Sequence, residues 1–570
     1  NYPFIDLYYT LMDDKNDVTY DGIHLKDWSQ RVAAEITMKS LGLDKKYTPE
    51  LEPLKKAIVD KNKIWFNYWR PGNWAFLNGD RTEQAFSRHW KDGSKRIFPE
   101  EIKSFTPILE EAERKIEKLQ EELADGKPLT VAKNDSIANN TIINDDHTIE
   151  EEMASFKLHK DYNIELYASE ALGIVDPCTM RWDEKGRLWV LCIPTYPQPL
   201  PGRKANDKLI VLEDKNKDGK ADVSTVFADN LDIPLGFELG NNGVYLGEQT
   251  RLLFLRDTTN DLKSDTTETL FSGFGTHDSH QTINSFTWSP GGELFFAQGL
   301  SIHSSVETPW GVKNAHRGAL WRYRPRAHQL DNILDESTAS DNPWGMTFGD
   351  WGEYFTKSND TGIYFSTPAL ILSQHKALIP EIGATQIKSG IVTIPRSSHL
   401  PEDIRNDILV AGYYNNKVER LKLADYGAGY KATLIEPLLY STGKNFRPVD
   451  IKTGPDGAIY ILDWYNPVIG HYQASLRDPQ RDKTHGRIWR ITAKNRPLVK
   501  PVDFDNQSIL SLLNTLSSDE YHVKYQARRI IAAKSVKEVL PAVDTWIKNL
   551  SPSDKKYEHN LMEALAVYET

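Results

Sequence analysis

The chain has 570 residues, which is more than one ordinary domain and predicts three or four folded units. Its net charge of −11 argues against nucleic acid or an anionic membrane as the main partner. No run approaches the roughly 18 apolar residues of a membrane-spanning helix, so we expect no transmembrane segment in it. Residue 1 is Asn rather than Met, and we expect the sequence to be part of a longer chain.

Residues 1–48 carry the first pattern with catalytic meaning. Residues 4–8, FIDLY, predict a short buried strand, and residues 25–43 predict an amphipathic helix. Between them, Asp21 and His24 form D-x-x-H, a spacing at which a carboxylate can orient an imidazole as a general base. This segment resembles the last motif of the SGNH (GDSL-type) esterases, which implies that Asp21 and His24 belong to a triad whose serine lies outside this sequence. A loop that caps the helix is the alternative.

The next two segments predict connections between domains. Residues 49–130 are charged and have helical spacing, with an aromatic-rich stretch at 65–80 that predicts a packed loop. Residues 131–152 begin with an unpatterned Asn- and Asp-rich run, which predicts a linker.

From residue 153 the hydrophobic period changes to 2, and one turn recurs between two predicted strands. The glycines of this turn are Gly186, Gly243, Gly292, Gly352 and Gly457. Residues 406–423 fill the longest gap between them, so one unit takes roughly 50 residues, as propeller blades do. We therefore predict a mainly β fold with a six-bladed β-propeller over residues 153–497. Residues 498–570 predict helix pairs of the HEAT type.

Two acidic loops between predicted strands have the alternating oxygen ligands that Ca²⁺ requires. Gly219 supplies the sharp turn of the first loop, and the second repeats the spacing without a glycine. The predicted calcium ligands are Asp214, Asn216, Asp218 and Asp222 in the first loop and Asp257, Thr259, Asp261 and Asp265 in the second. A pair of Asx-turns on the rim of the propeller is the alternative.

Residues 276–286, THDSHQTINSF, precede the predicted inner strand of the third blade, where propellers place ligand-binding side chains. We therefore predict His280 at the pocket and assign His280 and Asp278 as catalytic residues. We assign His277 to the structure of the turn. A metal site made of the two histidines and Asp278 is disfavoured, because neighbouring residues of a strand face opposite sides.

The pattern H-x-x-x-N-S-F-x-W-S-P-G-G, which begins at His280, resembles the six-bladed soluble quinoprotein sugar dehydrogenases. Across residues 155–495 the chain also resembles a group of extracytoplasmic membrane-bound dehydrogenase-type proteins, in LEDxNxDGxAD, DSHxTxNSFxW and RDxTHGRIxR. The resemblance implies that His280 takes a proton while a hydride passes from a sugar hydroxyl to pyrroloquinoline quinone, with Asn342 and Arg447 binding the quinone. Asp341 and Trp344 depart from this pattern, since they stand where the family has an arginine and a glutamine.

Two features leave alternatives open. Polar and aromatic residues near the last predicted blade either line the mouth of the channel or pin a long loop: Asp463, Tyr465, His471, Arg477 and His485. Cys178 and Cys192 lie on either side of the first predicted hairpin and form either a disulfide or two free thiols.

Together these patterns predict a periplasmic or cell-surface, carbohydrate-processing protein that oxidises a sugar or polyol with a quinone and His280 as base. The resemblance also implies a haem-binding c-type cytochrome domain outside this sequence. One alternative is a non-catalytic propeller that binds a glycan or a partner in a larger cell-envelope assembly. Another is an SGNH-type esterase whose serine lies outside this sequence.

Overall fold

The computed structural model describes residues 4–12, 18–20, 23–43, 47–130, 148–335, 342–358, 360–366, 380–388, 390–470 and 473–570. Three residues named above, Asp21, Asp341 and His471, lie outside these ranges. Helices precede and follow a central region of strands. None of the helices in these ranges is long and apolar enough to cross a membrane.

The region before the strands is helical. Its helices are α1 (Leu7–Met12), α2 (Asp27–Ser40), α3 (Glu52–Trp69), α4 (Trp74–Leu77), α5 (Phe98–Lys103), α6 (Phe105–Ala124) and α7 (Ile149–Ser155). The strand predicted at residues 4–8 is wrong, because α1 begins at Leu7 and Tyr8 is 66% exposed. No described strand pairs with this segment, and a helix satisfies its own backbone hydrogen bonds without a neighbour.

The strands follow α7 and, as predicted, make the protein mainly β. In chain order they are β1 (Phe156–Leu158), β2 (Tyr162–Ser169), β3 (Pro177–Trp182), β4 (Leu188–Cys192), β5 (Asp207–Glu213), β6 (Val223–Leu231), β7 (Pro234–Gly240), β8 (Gly243–Glu248), β9 (Arg251–Arg256), β10 (Thr266–Ser272), β11 (Asn284–Trp288), β12 (Leu294–Gln298), β13 (His303–Val306), β14 (Lys313–His316), β15 (Ala319–Arg324), β16 (Gln329–Asp335), β17 (Gly345–Phe348), β18 (Tyr354–Lys357), β19 (Gly362–Ser366), β20 (Glu381–Ala384), β21 (Ile391–Thr393), β22 (Ile408–Gly412), β23 (Lys417–Tyr426), β24 (Gly429–Ser441), β25 (Pro448–Thr453), β26 (Ile459–Asp463) and β27 (Arg487–Ala493).

Apart from β13 and β14, which form a separate two-stranded sheet, these strands form antiparallel groups of four. Three groups are β3 to β6, β17 to β20, and β21 to β24 with β1 added at its outer side. β7 to β10 and β11, β12, β15 and β16 form two more, which join as one eight-stranded sheet through a parallel contact between Leu235 and Asn284. The last group contains β25, β26 and β27, with β2 as its outer strand.

The groups surround a common axis, as the blades of a propeller do. Their first strands contact one another in the order β3, β7, β11, β17, β21, β25 and then β3 again. β2 pairs with β27 from Tyr162 opposite Ala493 to Ser169 opposite Arg487, so hydrogen bonds join the beginning of the strand region to its end. The propeller-like arrangement of sheets is therefore confirmed.

The recurring glycine lies in the hairpin between the first and second strands of a group. The glycines with φ between 73° and 81° are Gly186, Gly292, Gly352 and Gly457. These angles lie in the left-handed region, which glycine adopts without a Cβ clash. At the repeat that contains Gly243, the preceding residues Asn241 and Asn242 take left-handed angles instead, with φ of 50° and 58°.

Aromatic side chains fill the spaces between neighbouring groups. The ring centroids of Phe295 on β12 and Phe348 on β17 lie 5.3 Å apart, and those of Trp182 on β3 and Tyr460 on β26 lie 4.8 Å apart. Because full burial of a phenylalanine stabilises a fold by roughly 1.5–3 kcal/mol, these contacts hold the groups to one another.

Four helices follow the strands: α8 (Ile509–Thr515), α9 (Tyr521–Ala532), α10 (Val536–Asn549) and α11 (Tyr557–Glu569). They pack around a core that includes the buried side chains of Leu513, Val543 and Trp546. The SGNH-like and HEAT-like assignments and the domain boundaries stay predictions.

α9 packs directly against three inner strands, β3, β7 and β11. The hydroxyl of Tyr525 donates to the Glu238 carboxylate at 2.8 Å and accepts from the backbone N–H of Trp288 at 3.2 Å. The side-chain amide of Gln526 donates to the carbonyl oxygen of Trp182 at 2.9 Å. The helical region is thus attached to the strand region by buried hydrogen bonds.

We expect Tyr525→Phe to lower the free energy of unfolding by about 1–3 kcal/mol, because it leaves the buried N–H of Trp288 without its acceptor. Urea denaturation followed by tryptophan fluorescence measures this loss. Tyr426→Phe is the matched control, since Tyr426 is 72% exposed. Equal losses in the two variants would contradict the role given to this hydroxyl.

Candidate functional site

A cavity of about 210 Å³ lies on the axis of the strand region, and β3, β7, β11, β17, β21 and β25 all contribute to its wall. One end, here called the mouth, consists of Tyr196, His280, Trp344, Tyr413 and Trp464. The other end, here called the floor, consists of Tyr521, His522, Tyr525 and Gln526 of α9. The helix therefore closes the axial channel on one side.

His280 lies at the mouth, as predicted from its place before β11. Its Nδ1 atom is 2.7 Å from the hydroxyl oxygen of Tyr196, and its ring centroid is 4.5 Å from that of Trp344. The hydroxyl group can donate to Nδ1 or accept from it, and either bond fixes the orientation of the imidazole. Burial raises the pKa of Tyr196, so this phenol stays protonated at neutral pH. The pair offers a ligand a polar contact between aromatic side chains.

The loop that carries His280 is held by the region before the strands. Asp278 is fully buried, accepts from Arg81 at 2.6 Å, and accepts from the backbone N–H of His280 at 3.0 Å. The side chain of Asn73 accepts from the backbone N–H of Ser279 at 2.8 Å. Asp278 thus holds the backbone of His280 in place, and its predicted catalytic role stays a prediction.

A belt of paired charges crosses the cavity between the mouth and the floor. Arg181 lies 2.7 Å from Glu238 and 3.3 Å from Asp450, and Lys452 lies 2.8 Å from Asp450. Burial opposes ionisation of Asp450, but Lys452 and Arg181 together lower its pKa. With two cations and two anions, the belt presents no net charge to the cavity.

The floor is neutral as well. Burial, followed by the positive charge of Arg529, lowers the pKa of His522 to about 4. This imidazole is therefore uncharged near pH 7, and the other floor residues are two phenols and an amide.

Asn342 and Arg447, the residues predicted to bind a quinone, occupy different positions. Asn342 lines the cavity, and its side-chain oxygen is 3.4 Å from the backbone nitrogen of Leu300. Arg447 is not part of the cavity wall, and its guanidinium donates to the carbonyl oxygens of Asn466 at 2.8 Å and Tyr413 at 3.0 Å. Burial lowers the pKa of Arg447 to about 10, so the guanidinium stays charged at neutral pH. Its hydrogen bonds go to backbone carbonyl groups.

The wall does not fit pyrroloquinoline quinone, which carries three carboxylates and requires several uncommitted cations. Within the described ranges, the lysine and arginine side chains that line the cavity are Arg181 and Lys452. Both face carboxylates of the charged belt. A tri-anionic group would have to compete with Glu238 and Asp450 for them, so no step of a reaction is derived through this cofactor.

The predicted calcium loops connect β5 to β6 and β9 to β10. Asp214 accepts from the backbone N–H of Gly219 at 2.9 Å, and Asp222 accepts from that of Lys215 at 2.9 Å. In the second loop Asp257 accepts from the backbone N–H of Leu262 at 2.7 Å. No group of three or more His, Cys, Asp or Glu side chains among the described residues is arranged around a metal position, so calcium binding stays a prediction. The remaining predicted ligands lie in the same two loops: Asn216, Asp218, Thr259, Asp261 and Asp265.

The described polar residues near the last group of strands make contacts that favour the second alternative, a pinned loop. Asp463 accepts from the backbone N–H groups of Arg447 and Tyr465, and Arg477 pairs with Glu101 of α5 at 2.6 Å. Tyr465 is fully buried. The described members of that set are not part of the cavity wall.

His24 lies apart from the cavity. Its Nε2 atom is 3.7 Å from the carboxylate of Glu307, close to the hairpin of β13 and β14. Asp21 is outside the described residues, so the D-x-x-H pair stays a prediction.

Cys178 and Cys192 are free thiols. Cys178 lines the cavity and Cys192 is buried in β4. Burial raises the pKa of both thiols, to about 12 for Cys192.

Sequence reasoning missed most of the residues that give the cavity its shape. Tyr196 and Trp464 follow the second strands β4 and β26, and a search for aromatic residues just after these strands would have found them. Arg81 is 197 residues from Asp278 and Tyr525 is 287 residues from Glu238, so these contacts leave no local signal.

Comparison with sequence families gives one match. A family described as a domain of unknown function (DUF7133) matches residues 148–389 and 389–495, which include every strand. A comparison with curated proteins finds no match.

Solved structures show weak likenesses to the strand region. An oxidoreductase described as a glucose dehydrogenase from Thermus thermophilus is 15% identical, with a TM-score of 0.38, and the match covers 58% of this chain and 99% of that one. The quinone-binding (PQQ) domain of pyranose dehydrogenase from Coprinopsis cinerea is 12% identical, with a TM-score of 0.38, and the match covers 59% and 97%. A luciferin-regenerating enzyme is 10% identical, with a TM-score of 0.39, and the match covers 60% and 98%. Likenesses of this size establish neither a ligand nor an activity.

We expect Arg81→Met to lower the free energy of unfolding by about 3–5 kcal/mol, because it leaves the buried carboxylate of Asp278 without its cation. Urea denaturation measures this loss. Arg88→Met is the matched control, since its partner Glu83 is 85% exposed and such pairs contribute about 1 kcal/mol or less. Similar losses in both variants would show that Asp278 does not depend on Arg81.

Because His522 is uncharged in the folded protein at neutral pH, we expect the protein to lose stability in acid. Its pKa is about 4 in the folded protein and about 6.5 when unfolded, so stability is full above pH 6.5 and falls as the pH approaches 4. Between pH 7.5 and pH 4.5 we expect the wild type to lose about 1–3 kcal/mol more than His522→Gln does. His303→Gln, which replaces an exposed histidine, should lose as much as the wild type. Equal losses of stability in all three proteins would contradict the lowered pKa of His522.

Proposed function

Because this chain belongs to the DUF7133 family, a domain of unknown function, we propose its function from the central cavity: it binds a sugar or polyol at the mouth. The observation that carries the proposal is the hydrogen-bonded pair of His280 and Tyr196 between aromatic side chains. The protein is then an extracytoplasmic, carbohydrate-binding propeller with six blades.

Several features of the mouth support this ligand class. The ring centroids of Trp344 and Tyr413 lie 5.6 Å apart, and those of Tyr196 and Trp464 lie 5.9 Å apart. Aromatic faces suit the C–H surfaces of a sugar ring, while a few fixed polar groups orient its hydroxyls. His280 and Asn342 are such groups, and Asn342 lies nearby in the same wall. A neutral ligand also matches a wall whose charges are paired.

A second candidate function is oxidation of the bound hydroxyl group. One observation favours it: Tyr196 fixes the imidazole of His280 as the support of a general base does. His280 would accept the hydroxyl proton while two electrons and the second proton leave as a hydride to an external acceptor. Since the wall does not fit pyrroloquinoline quinone, the hydride acceptor in this proposal is a dissolved two-electron oxidant, a soluble quinone or redox dye.

We expect Trp344→Ala to weaken sugar binding at least tenfold, because it removes an aromatic wall next to His280. Isothermal titration with monosaccharides, disaccharides and sugar alcohols measures the affinity. Trp351→Ala is the matched control, since Trp351 is 52% exposed and is not part of the cavity wall. If no sugar or polyol binds, or if both variants bind equally well, the proposed function is wrong.

Oxidation is tested with the wild-type protein and with the variant His280→Ala. Sugar-dependent reduction of a dye that is lost in His280→Ala would establish the second candidate function, and the assay is run with and without pyrroloquinoline quinone. Dye reduction that requires the quinone would contradict the mismatch found in the cavity wall. Sugar binding without dye reduction would leave recognition as the function.

A further inference from the structure

Five of the six inner strands line the cavity with apolar side chains directly below the mouth. Here the upper wall means the side chains of Cys178, Leu235, Met346, Ile391 and Val449. Each is the first or second residue of its inner strand, whereas Arg181, Glu238 and Lys452 of the charged belt are each the fifth. The upper wall therefore lies between the mouth and the belt. Its side chains offer a ligand one weak hydrogen-bonding group, the thiol of Cys178. The sixth inner strand, β11, begins with the polar Asn284 and Ser285, but Ser285 donates to the Asn284 side chain at 2.7 Å and Asn284 donates to the carbonyl oxygen of Thr282 at 2.8 Å.

A polyhydroxyl ring is a poor occupant for this part of the cavity. Hydroxyl groups placed against leucine, valine and isoleucine would lose their hydrogen bonds to water without replacement. The belt beneath does not supply replacements freely, because its cations and carboxylates are already bonded to one another. A sugar ring is better placed at the mouth, next to His280.

The size of the cavity suits one further ring. A cavity of roughly 150 Å³ lined by apolar side chains is large enough to hold benzene, and this one has about 210 Å³. The floor ends it at Tyr521 and His522, so a long chain cannot pass through.

Resting on the proposed function, we infer that the ligand is a glycoside with an apolar aglycone: the sugar stays at the mouth and an uncharged aryl or short alkyl group enters the upper wall. The burial of this group contributes affinity that a free sugar lacks. The charged belt beneath the upper wall limits the length of the aglycone.

The test compares glycosides that share one sugar and differ in the aglycone. Isothermal titration of the whole chain with methyl and phenyl β-D-glucopyranoside, and with the matching galactosides and xylosides, gives the affinity ratio for each sugar. We expect the phenyl compound of the preferred sugar to bind at least tenfold more tightly than the methyl compound.

Variants separate the upper wall from the mouth. In Leu235→Asn we expect the ratio to fall below threefold while the affinity for the methyl glycoside changes less than twofold. Leu498→Asn is the matched control, since Leu498 is 48% exposed and lies outside the cavity wall. If Leu235→Asn does not fold, competition by phenol against the phenyl but not the methyl glycoside gives the same answer in the wild type.

The results distinguish failure of the aglycone inference from failure of sugar binding at the mouth. Equal affinity for methyl and phenyl glycosides would overturn the aglycone inference and leave sugar binding at the mouth intact. Absence of binding by every glycoside would overturn both. Binding of phenol alone, without any glycoside, would also overturn both and would make the cavity a site for small apolar molecules.

Discussion

Arg181 lies buried on the axis of the strand region, where its guanidinium group joins four inner strands. From β3 it donates to Glu238 on β7, to the carbonyl oxygen of Phe286 on β11 and to Asp450 on β25. A buried guanidinium without partners would destabilise the fold by several kcal/mol. The strands therefore close around the axis in the arrangement that brings these acceptors together, and the same acceptors neutralise the charge that faces the cavity.

The helical regions before and after the strands contact the two ends of the cavity. At the mouth, Arg81 lies in the helical connector before the strands and fixes Asp278, which holds the backbone of His280. At the floor, Tyr525 bonds to Glu238, so α9 is joined to the charged belt. α9 covers one end of the axial channel, and Arg81, through Asp278, holds the loop of His280 at the other end.

The sequence predicts the parts of this structure that depend on local chemistry. The turn at Gly186 needs a left-handed backbone, and its recurrence revealed the repeat and the propeller-like fold. His280 could be placed at the mouth because polar residues before an inner strand face the axis. Arg81 and Asp278 are 197 residues apart and Tyr525 and Glu238 are 287 apart, so neither contact leaves a pattern in one segment. The strand predicted at residues 4–8 failed because a short apolar run does not reveal whether a neighbouring strand is present.

The cavity differs from a quinone-binding site because the positive charges in and near its wall are already bonded within the protein. A base needs one oriented imidazole, which Tyr196 and the loop provide, whereas an anionic cofactor needs uncompensated positive charge in a wall that excludes water. Arg447 is the cation that could have met this need, and its hydrogen bonds go to the backbone of Tyr413 and Asn466 instead. The buried cations Arg181, Lys452 and Arg447 are thus bonded within the protein, and under the proposed function a wall with paired charges suits a neutral ligand.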